Sequence, residues 1–370
     1  MSKTVKVVHI TLGHNPTDDR IFYKEARSLA ERGYQVTIVA PDREKINEKD
    51  GVHFMLFKES NYWRNLLNAY RTALELRADI YHLHEFELLP FALWLKYKYR
   101  RKVIYDAHES VFWFFMDFSR RSLFIRVLSG FIAQSLEYLC IRATDYLITV
   151  TPWVESHLRP FHPKRAIVYN YPLVDFFTVK SEKTVELVIL YHGQIIPGRN
   201  IELMINAIKI VRKTIPNVLL RLVDSGARWY RATLDRMITE SGLEKNVEIR
   251  PSVPYARIPA LVSQSVIGLA TMQLNESYRR SIQVKPFEFM AMGVPVLGAN
   301  VPSISKYVVE SGAGLIINPL TPENLASQMI YLLQNPDARE LMGTCGRQAV
   351  REKYNWNVTL PVLLKVYREL

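Results

Sequence analysis

Short apolar, β-branched runs alternate with longer helical patterns along the first half of the chain: VKVVHIT at 5–11, QVTIVAP at 35–41, IYHLH at 80–84, KVIYDAH at 102–108 and YLITVT at 146–151. Runs of this length and composition predict strands, and their alternation with helices predicts a parallel sheet covered on both faces. Between the first two, DDRIFYKEARSLAERG sets Ile21, Ala26, Leu29 and Ala30 on one helical face, opens on acids and stops at Gly33, which makes a β-α-β unit. After Pro172 the text turns irregular, LVDFFTVKSEKTVE, and a second series begins: LVILYHG, VLLRLVD, VEIRPSV, IGLATM, VPVLGAN and GLIIN. A linker is therefore expected near 172–184, between two halves of like architecture that share no sequence repeat. In open parallel sheets ligands bind beyond the carboxyl ends of the strands, so residues that directly follow strands are the informative ones.

At 370 residues the chain exceeds the size at which one core keeps growing, in keeping with two domains. Its 48% hydrophobic and 23% charged residues describe an ordinary globular protein. The apolar stretch in MSKTVKVVHITLGHN has only a strand's length, and no small-residue cleavage site follows, which predicts a cytoplasmic protein without a signal peptide. No uninterrupted apolar run approaches the roughly 20 residues of a membrane-spanning helix, so any membrane contact is expected to be peripheral. Cys140 and Cys345 stand far apart, in neither a metal-type nor a redox-type spacing, as in a reducing compartment. The net charge of +12 implies attraction to something anionic, for which nucleic acid, acidic lipid headgroups and phosphorylated substrates all qualify. No recognised nucleic-acid reading motif accompanies the charge, so no nucleic-acid partner is expected.

Thr11, Leu12 and Gly13 follow the first strand in place of a G-x-G-x-x-G, which speaks against a dinucleotide cofactor. GQIIPGRN at 193–200 has the outline of a phosphate loop but carries Arg199 and Asn200 where a lysine and a hydroxyl are required, so the Mg²⁺ ligand of an ATPase is missing. What remains is a strand-end turn with a guanidinium suited to forked contacts with phosphate oxygens. The plainer alternative has Arg199 opening the next helix in solvent. In KPFEFMAMGVPV, which begins at Lys285, Pro286 and Glu288 fall in a first helical turn, Gly293 closes the helix and a buried strand comes next. A carboxylate so placed can accept both vicinal hydroxyls of a ribose; its alternative is simple attraction to the positive helix end.

HLHEFE brings together His82, His84, Glu85 and Glu87, residue types that bind zinc. Strand alternation puts the two histidines on one face and the two glutamates on the other, which disfavours a metal site. FALWLKYKYRRK (91–102) and VFWFFMDFSRRSLFIRVLSGF (111–131) mix aromatics with cations and read as interfacial segments drawn to anionic lipid, against the alternative of core helices with a solvated basic edge. The second is expected to expose Phe112, Trp113, Phe114 and Phe115 consecutively.

The segment around Glu288 resembles the second half of the Glu-x7-Glu signature of the retaining GT-B glycosyltransferases of family four. HNPTDDRIFYKEARSLAERGYQVTIVA, DIYHLHEFELLPFAL, VIYDAHES, VYNYPLVDFF, the GVPV segment and the terminal YNW resemble that family in order and spacing, over nearly the whole chain. The resemblance implies an α/β GT-B fold of two Rossmann-like domains facing across a cleft. Residues 1–172 would form the acceptor-side domain, 184–354 the nucleotide-sugar domain, and 355–370 a helix returning to the first. It implies a retaining transfer, from UDP-sugar as the commonest donor, to a lipid-linked or glycan acceptor in surface polysaccharide or glycolipid synthesis. No cofactor and no obligatory metal are expected, because protein cations and helix termini neutralise the leaving diphosphate in this architecture.

By the same resemblance Glu288 binds the donor ribose, Arg199 neutralises the diphosphate with Lys285 reaching the same phosphates, and His108 sits beside the transferred sugar. Gly13 and His14 match the loop that approaches phosphate and acceptor, and His84 and Glu85 are expected to line the acceptor side. Two positions depart from the pattern. The loop cation that follows Gly193 is Gln194, and the first signature glutamate is Arg280. Either Glu276 serves in a rearranged loop, or Arg280 itself binds the donor sugar, as would suit a uronic acid, or activity is lost. The competing functions are a nucleotide-sugar 2-epimerase on the same scaffold and a non-catalytic nucleotide-sugar-binding subunit.

Overall fold

The computed structural model describes residues 4–119, 121–178, 186–224 and 228–370. The chain divides into two units, Met1–Asn170 with Trp356–Leu370, and Tyr171–Asn355. The linker expected at 172–184 therefore begins inside the second unit, and its 179–184 part lies outside the described residues.

The first unit is built on an eight-stranded sheet of order β3-β4-β2-β1-β5-β6-β7-β8. Its strands are β1 Lys6–Ile10, β2 Gln35–Pro41, β3 Glu48–Lys49, β4 Val52–Phe57, β5 Ile80–Leu83, β6 Lys102–Ala107, β7 Tyr146–Thr149 and β8 Arg165–Ile167. All neighbours pair in parallel except β3 with β4. The five expected strands are β1, β2, β5, β6 and β7. Absent from the sequence reading was β4, which lies near an edge and alternates buried and exposed residues within VHFMLF, so no continuous apolar run announces it. Three-residue β8, at the other edge, is too short to carry a period.

The connection after β1 departs from a plain amphipathic helix. Asp18 caps it, accepting from the backbone N–H groups of Arg20 and Ile21, and Asp19–Ala26 winds as a π-helix before one α-turn at Arg27–Ala30. π-winding is rare and concentrates at functional sites. Here it buries Arg20, Lys24 and Glu25 beside Ile21 and Phe22, so charged side chains enter the interior. The last helix, Trp356–Arg368, belongs to this unit: Trp356 Nε1 donates to Ser28 Oγ at 2.9 Å, and Tyr367 is buried near the other end.

The second unit carries an all-parallel six-stranded sheet, β11-β10-β9-β12-β13-β14, at the six expected places. They are β9 Leu187–Gly193, β10 Val218–Asp224, β11 Val247–Pro251, β12 Ile267–Ala270, β13 Val296–Ala299 and β14 Gly314–Ile317. Ile189, Leu220, Leu222 and Leu269 pack with Met204, Ile208 and Met329 from two helices in one core that anchors β9.

Candidate active site

In the first unit the ends of β1, β5 and β6 deliver a cluster of charged and imidazole side chains that sequence reading located only in part. Asp106, the residue before last in β6, is fully buried. Arg20 grips it with a fork, Nε to Oδ2 at 2.8 Å and Nη2 to Oδ1 at 2.9 Å, and gives a third hydrogen bond to the carbonyl of Val168 at 2.9 Å. Burial alone would favour a neutral Asp106, but the Arg20 charge and the hydrogen bonds from His108 and His84 outweigh it and hold the carboxyl well below its ordinary range. His108 Nε2 stands 3.0 Å from Asp106 Oδ2, and the ring remains partly exposed. Glu25, 3.0 Å from Arg20 Nη2, is pushed well up by burial, against the pull of the Arg20 charge.

His9, His82 and His84 stack behind His108, with ring centroids 4.5–5.2 Å apart. Burial pushes all three below the ordinary imidazole range, so they are neutral. His84 is therefore a buried core residue; the expectation that it lines an acceptor surface is corrected, because the helix carrying Glu25 and the C-terminal helix cover that face of β5. Glu85 does not present a free carboxylate either. It accepts from Thr11 Oγ1 at 2.5 Å and from the backbone N–H groups of Leu12 and Gly13, each at 3.1 Å, and so clamps the loop after β1. His14 in that loop lies 3.1 Å from Asp18; burial opposes its charge, but Asp18 raises it to about 10, which keeps the ring protonated at neutral pH.

Donor atoms of His9, Glu25, His82 and His84 all lie within 4.8 Å of one another, as do those of His84, Asp106 and His108. The metal-type set thus recruits Glu25, not the neighbouring Glu85 and Glu87. Its nitrogens are spaced for hydrogen bonding: His9 Nδ1 is 2.9 Å from His84 Nε2, whereas two imidazoles on one zinc stand about 3.3 Å apart.

In the second unit β9 ends at Gly193, whose φ of +124° suits glycine. A Cβ there would come 2.1 Å from Lys285 Cε, so the missing side chain is what lets Lys285 lie across the strand end. Lys285 and Glu288 belong to the helix Val284–Ala291. Glu288 is buried, with Oε2 3.4 Å from Nε2 of His192, a residue that sequence reading passed over inside β9. Burial, with the Lys285 charge adding to it, pushes His192 down to about 3, so it is a neutral neighbour for the carboxylate. Arg199 is not in solvent: its guanidinium lies 4.5 Å over the Tyr278 ring. Gln194 is exposed, and its carbonyl accepts from the Tyr191 hydroxyl at 3.0 Å.

Glu276 and Arg280 open and close one short helix, Glu276–Arg280, and pair with each other. Arg280 accordingly offers a neutralised pair in place of a lone cation, which weakens the reading in which it recognises an acidic donor sugar. Gly193, Lys285, Glu288 and Arg199 gather around β9 and the neighbouring helix of the second unit, while Gly13, His14, Glu85 and His108 gather at the strand ends of the first. Arg20 and Asp106 carried no sequence signal beyond a helix opening and a strand end, and Glu25 none beyond a helical polar position; only burial reveals them.

The family model described as Glycosyl transferases group 1 matches residues 175–349, and that of Glycosyltransferase Family 4 matches residues 20–176. An uncharacterized glycosyltransferase of Methanocaldococcus jannaschii is 19% identical over 84% of this chain and 79% of its own length. D-inositol 3-phosphate glycosyltransferase of Paenarthrobacter aurescens is 27% identical over 49% of this chain and 43% of its own. A GDP-mannose-dependent alpha-(1-6)-phosphatidylinositol monomannoside mannosyltransferase of Mycolicibacterium smegmatis is 20% identical over 46% and 44%. This chain thus matches less than half of the last two. Among solved structures, Anabaena HepE in complex with UDP and glucose aligns with a TM-score of 0.77 at 14% identity, over 99% of this chain and 100% of that one. Sucrose-phosphate synthase from Thermosynechococcus elongatus aligns at 0.74 and 15%, over 99% and 98%. At these identities the likeness to solved structures is one of fold.

Proposed function

The chain belongs to the group 1 glycosyltransferases of GT-B fold, and from that premise we propose a retaining enzyme that takes a sugar from UDP to a lipid-linked or glycan acceptor in surface polysaccharide or glycolipid synthesis. The arrangement that carries the reading is the end of β9, where Lys285 crosses Gly193 and Glu288 lies buried one turn along the same helix. A buried carboxylate beside cations suits a nucleoside diphosphate: Glu288 accepts from the ribose hydroxyls, and Lys285 and Arg199 neutralise the diphosphate that leaves. With those cations in place the reaction needs no bound metal. His108 contacts the transferred sugar, and the leaving phosphate takes the acceptor proton.

The test is release of nucleoside diphosphate from individual UDP- and GDP-sugars, with detergent-extracted lipid-linked acceptors, in the presence of EDTA. Acceptor-dependent release that survives EDTA is expected, with an α-linked product. Tight nucleotide binding without release would instead favour the non-catalytic subunit, for which the Arg280–Glu276 pair is the specific argument. Interconversion of the free sugar nucleotide without transfer would identify the epimerase.

The enzyme works, on this reading, at the cytoplasmic face of a membrane with anionic lipid. Phe112, Trp113 and Phe115 are half-buried, so the expectation of four consecutive exposed aromatics is corrected: of that run only Phe114 is exposed. The exposed apolar surface lies mainly on the next helix, Leu123–Cys140, where Phe124 is 76% and Phe131 68% exposed, with Leu123, Leu128, Ile132, Leu136 and Leu139 exposed beside them. By length and composition Leu123–Ala143 is also apolar enough to cross a membrane, with Arg126, Glu137 and Arg142 interrupting the run. Its other face packs into the fold through Gly130, Ala133 and Cys140 and through Glu137, which accepts from the Tyr105 hydroxyl at 2.8 Å. A helix tied on one face and apolar on the other suits lying in the interface. Trp94, Tyr97 and Tyr99 are exposed near Lys98, Arg100 and Arg101, which supplies aromatic anchors and anionic-lipid attraction. Replacing Phe124 and Phe131 together by serine is expected to cost about 2–4 kcal/mol of membrane affinity, roughly 30- to 1,000-fold in sedimentation with anionic vesicles. Equal partition of the two proteins would refute the docking.

A further inference from the structure

Asp106 Oδ2 receives Arg20 Nε at 2.8 Å and faces His108 Nε2 at 3.0 Å and His84 Nδ1 at 3.4 Å. A carboxylate paired with arginine only accepts, so both imidazole nitrogens that face it carry hydrogen. Their 3.2 Å separation from each other follows from sharing one oxygen. Each remaining hydrogen is then forced, because a neutral imidazole has one N–H and one lone pair. His84, protonated at Nδ1, accepts at Nε2, and His9 Nδ1 at 2.9 Å donates to it. His9 accepts at Nε2, where the Tyr367 hydroxyl lies at 3.4 Å. The Tyr367 oxygen accepts from His82 Nδ1 at 2.8 Å. His82 Nε2 keeps the last lone pair, and that buried nitrogen has no hydrogen-bond partner among the described residues. Reversing any one ring would set two donors or two lone pairs face to face.

We propose that Tyr367, His82, His9 and His84 form a one-way hydrogen-bond chain that ends on Asp106, and that this carboxylate, held by Arg20, fixes the His108 hydrogen at Nε2, so that Nδ1 is the acceptor of the neutral ring. His108 is the one ring of the four that is partly exposed, and its Nδ1 makes no hydrogen bond among the described residues. In the neutral ring the lone pair there takes a hydrogen bond from a sugar hydroxyl and turns away a carboxylate or phosphate oxygen. The inference rests on the reading of His108 as the sugar-contacting group; Tyr367, on the C-terminal helix, closes the far end of the chain.

The chain gives His9, His82 and His84 the Nδ1–H form, against the Nε2–H form that free imidazole side chains favour, so tautomers read it directly. The full chain labelled with ¹⁵N-histidine, its resonances assigned through single glutamine variants, is expected to show Nδ1–H at those three residues and Nε2–H at His108. Tyr367→Phe removes the hydroxyl and keeps the ring. It is expected to return His82 to Nε2–H, with His84 at Nδ1–H and His108 at Nε2–H unchanged because Arg20 still holds Asp106 as an acceptor. Nε2–H at His9 or His84 in the unmodified protein overturns the chain, as does a Tyr367→Phe spectrum that leaves His82 and His9 unmoved. One equivalent of zinc in the purified protein, lost on His9→Gln, overturns it too, since the lone pairs would then belong to the ion. The spectra need no substrate. The expected tautomers without turnover of any sugar nucleotide would remove the catalytic reading of His108 and leave the chain.

Discussion

Asp106→Ala is expected to destabilise the protein by about 3–5 kcal/mol, measured by urea unfolding of the purified chain. The reason is Arg20, whose side chain is 3% exposed and whose guanidinium directs Nε and Nη2 at Asp106. Removing the carboxylate strands a buried charge whose nearest remaining partners are the Val168 carbonyl and Glu25, a carboxyl whose ionisation burial opposes. An uncompensated charge of this kind costs more than the pair contributes. Glu25 partly relieves it: burial comes first in opposing the ionisation of this carboxyl, but Asp106 also acts against it, so the variant makes Glu25 easier to ionise beside Arg20. The relief places the loss toward the lower end of the range. Replacing Arg20 and Asp106 together with apolar residues is expected to cost clearly less than the sum of the single losses, because no charge is left unpaired. Additive single and double losses would show that the two residues do not act as a buried pair.

The two sheets were legible in the sequence because a strand buried on both faces reads as a continuous apolar run. The inner strands of both units do so, whereas β11 and β14, at the edges of the second sheet, are only partly buried and were legible through their place in the strand-helix series. The margins of the first sheet were not legible, since β4 alternates and β8 is three residues long. Side-chain direction was the other gap. His84 and Glu85 are neighbours in sequence, yet the end of β5 sends one inward to His9 and His108 and the other to the loop at Gly13. Alternation announces that they diverge; it does not say that the inward side already holds Glu25 from a π-wound helix. The same limit hid His192, an apolar-strand position that proves to lie against Glu288. Arg280 in place of the signature glutamate is the gravest departure in the sequence, and its pairing with Glu276 is an i,i+4 contact that becomes legible once Glu276–Arg280 is known to be helical.

Glu288→Ala is expected to lower kcat/KM for the nucleotide sugar by about 10²–10³, most of it as weakened donor binding seen equally in the affinity for free nucleoside diphosphate. Two hydrogen bonds from ribose hydroxyls to an ionised acceptor contribute about 1.5–3 kcal/mol each at most, and partial solvation of the vacated site reduces the sum to about 3–4 kcal/mol. Glu288→Gln separates the two halves of that effect. The amide keeps the shape and one acceptor oxygen beside His192, so a loss of roughly tenfold is expected, with folding unchanged. His192 is neutral and buried against Glu288, so the alanine variant opens a small cavity beside an imidazole. Urea unfolding of the same variant separates a loss of folding from a loss of binding. The measurement is calorimetric titration of the wild-type protein and the two variants with UDP and GDP. Undiminished affinity in the alanine variant would remove Glu288 from the donor site, and equal losses in alanine and glutamine would place the effect in its charge instead of its two acceptor oxygens.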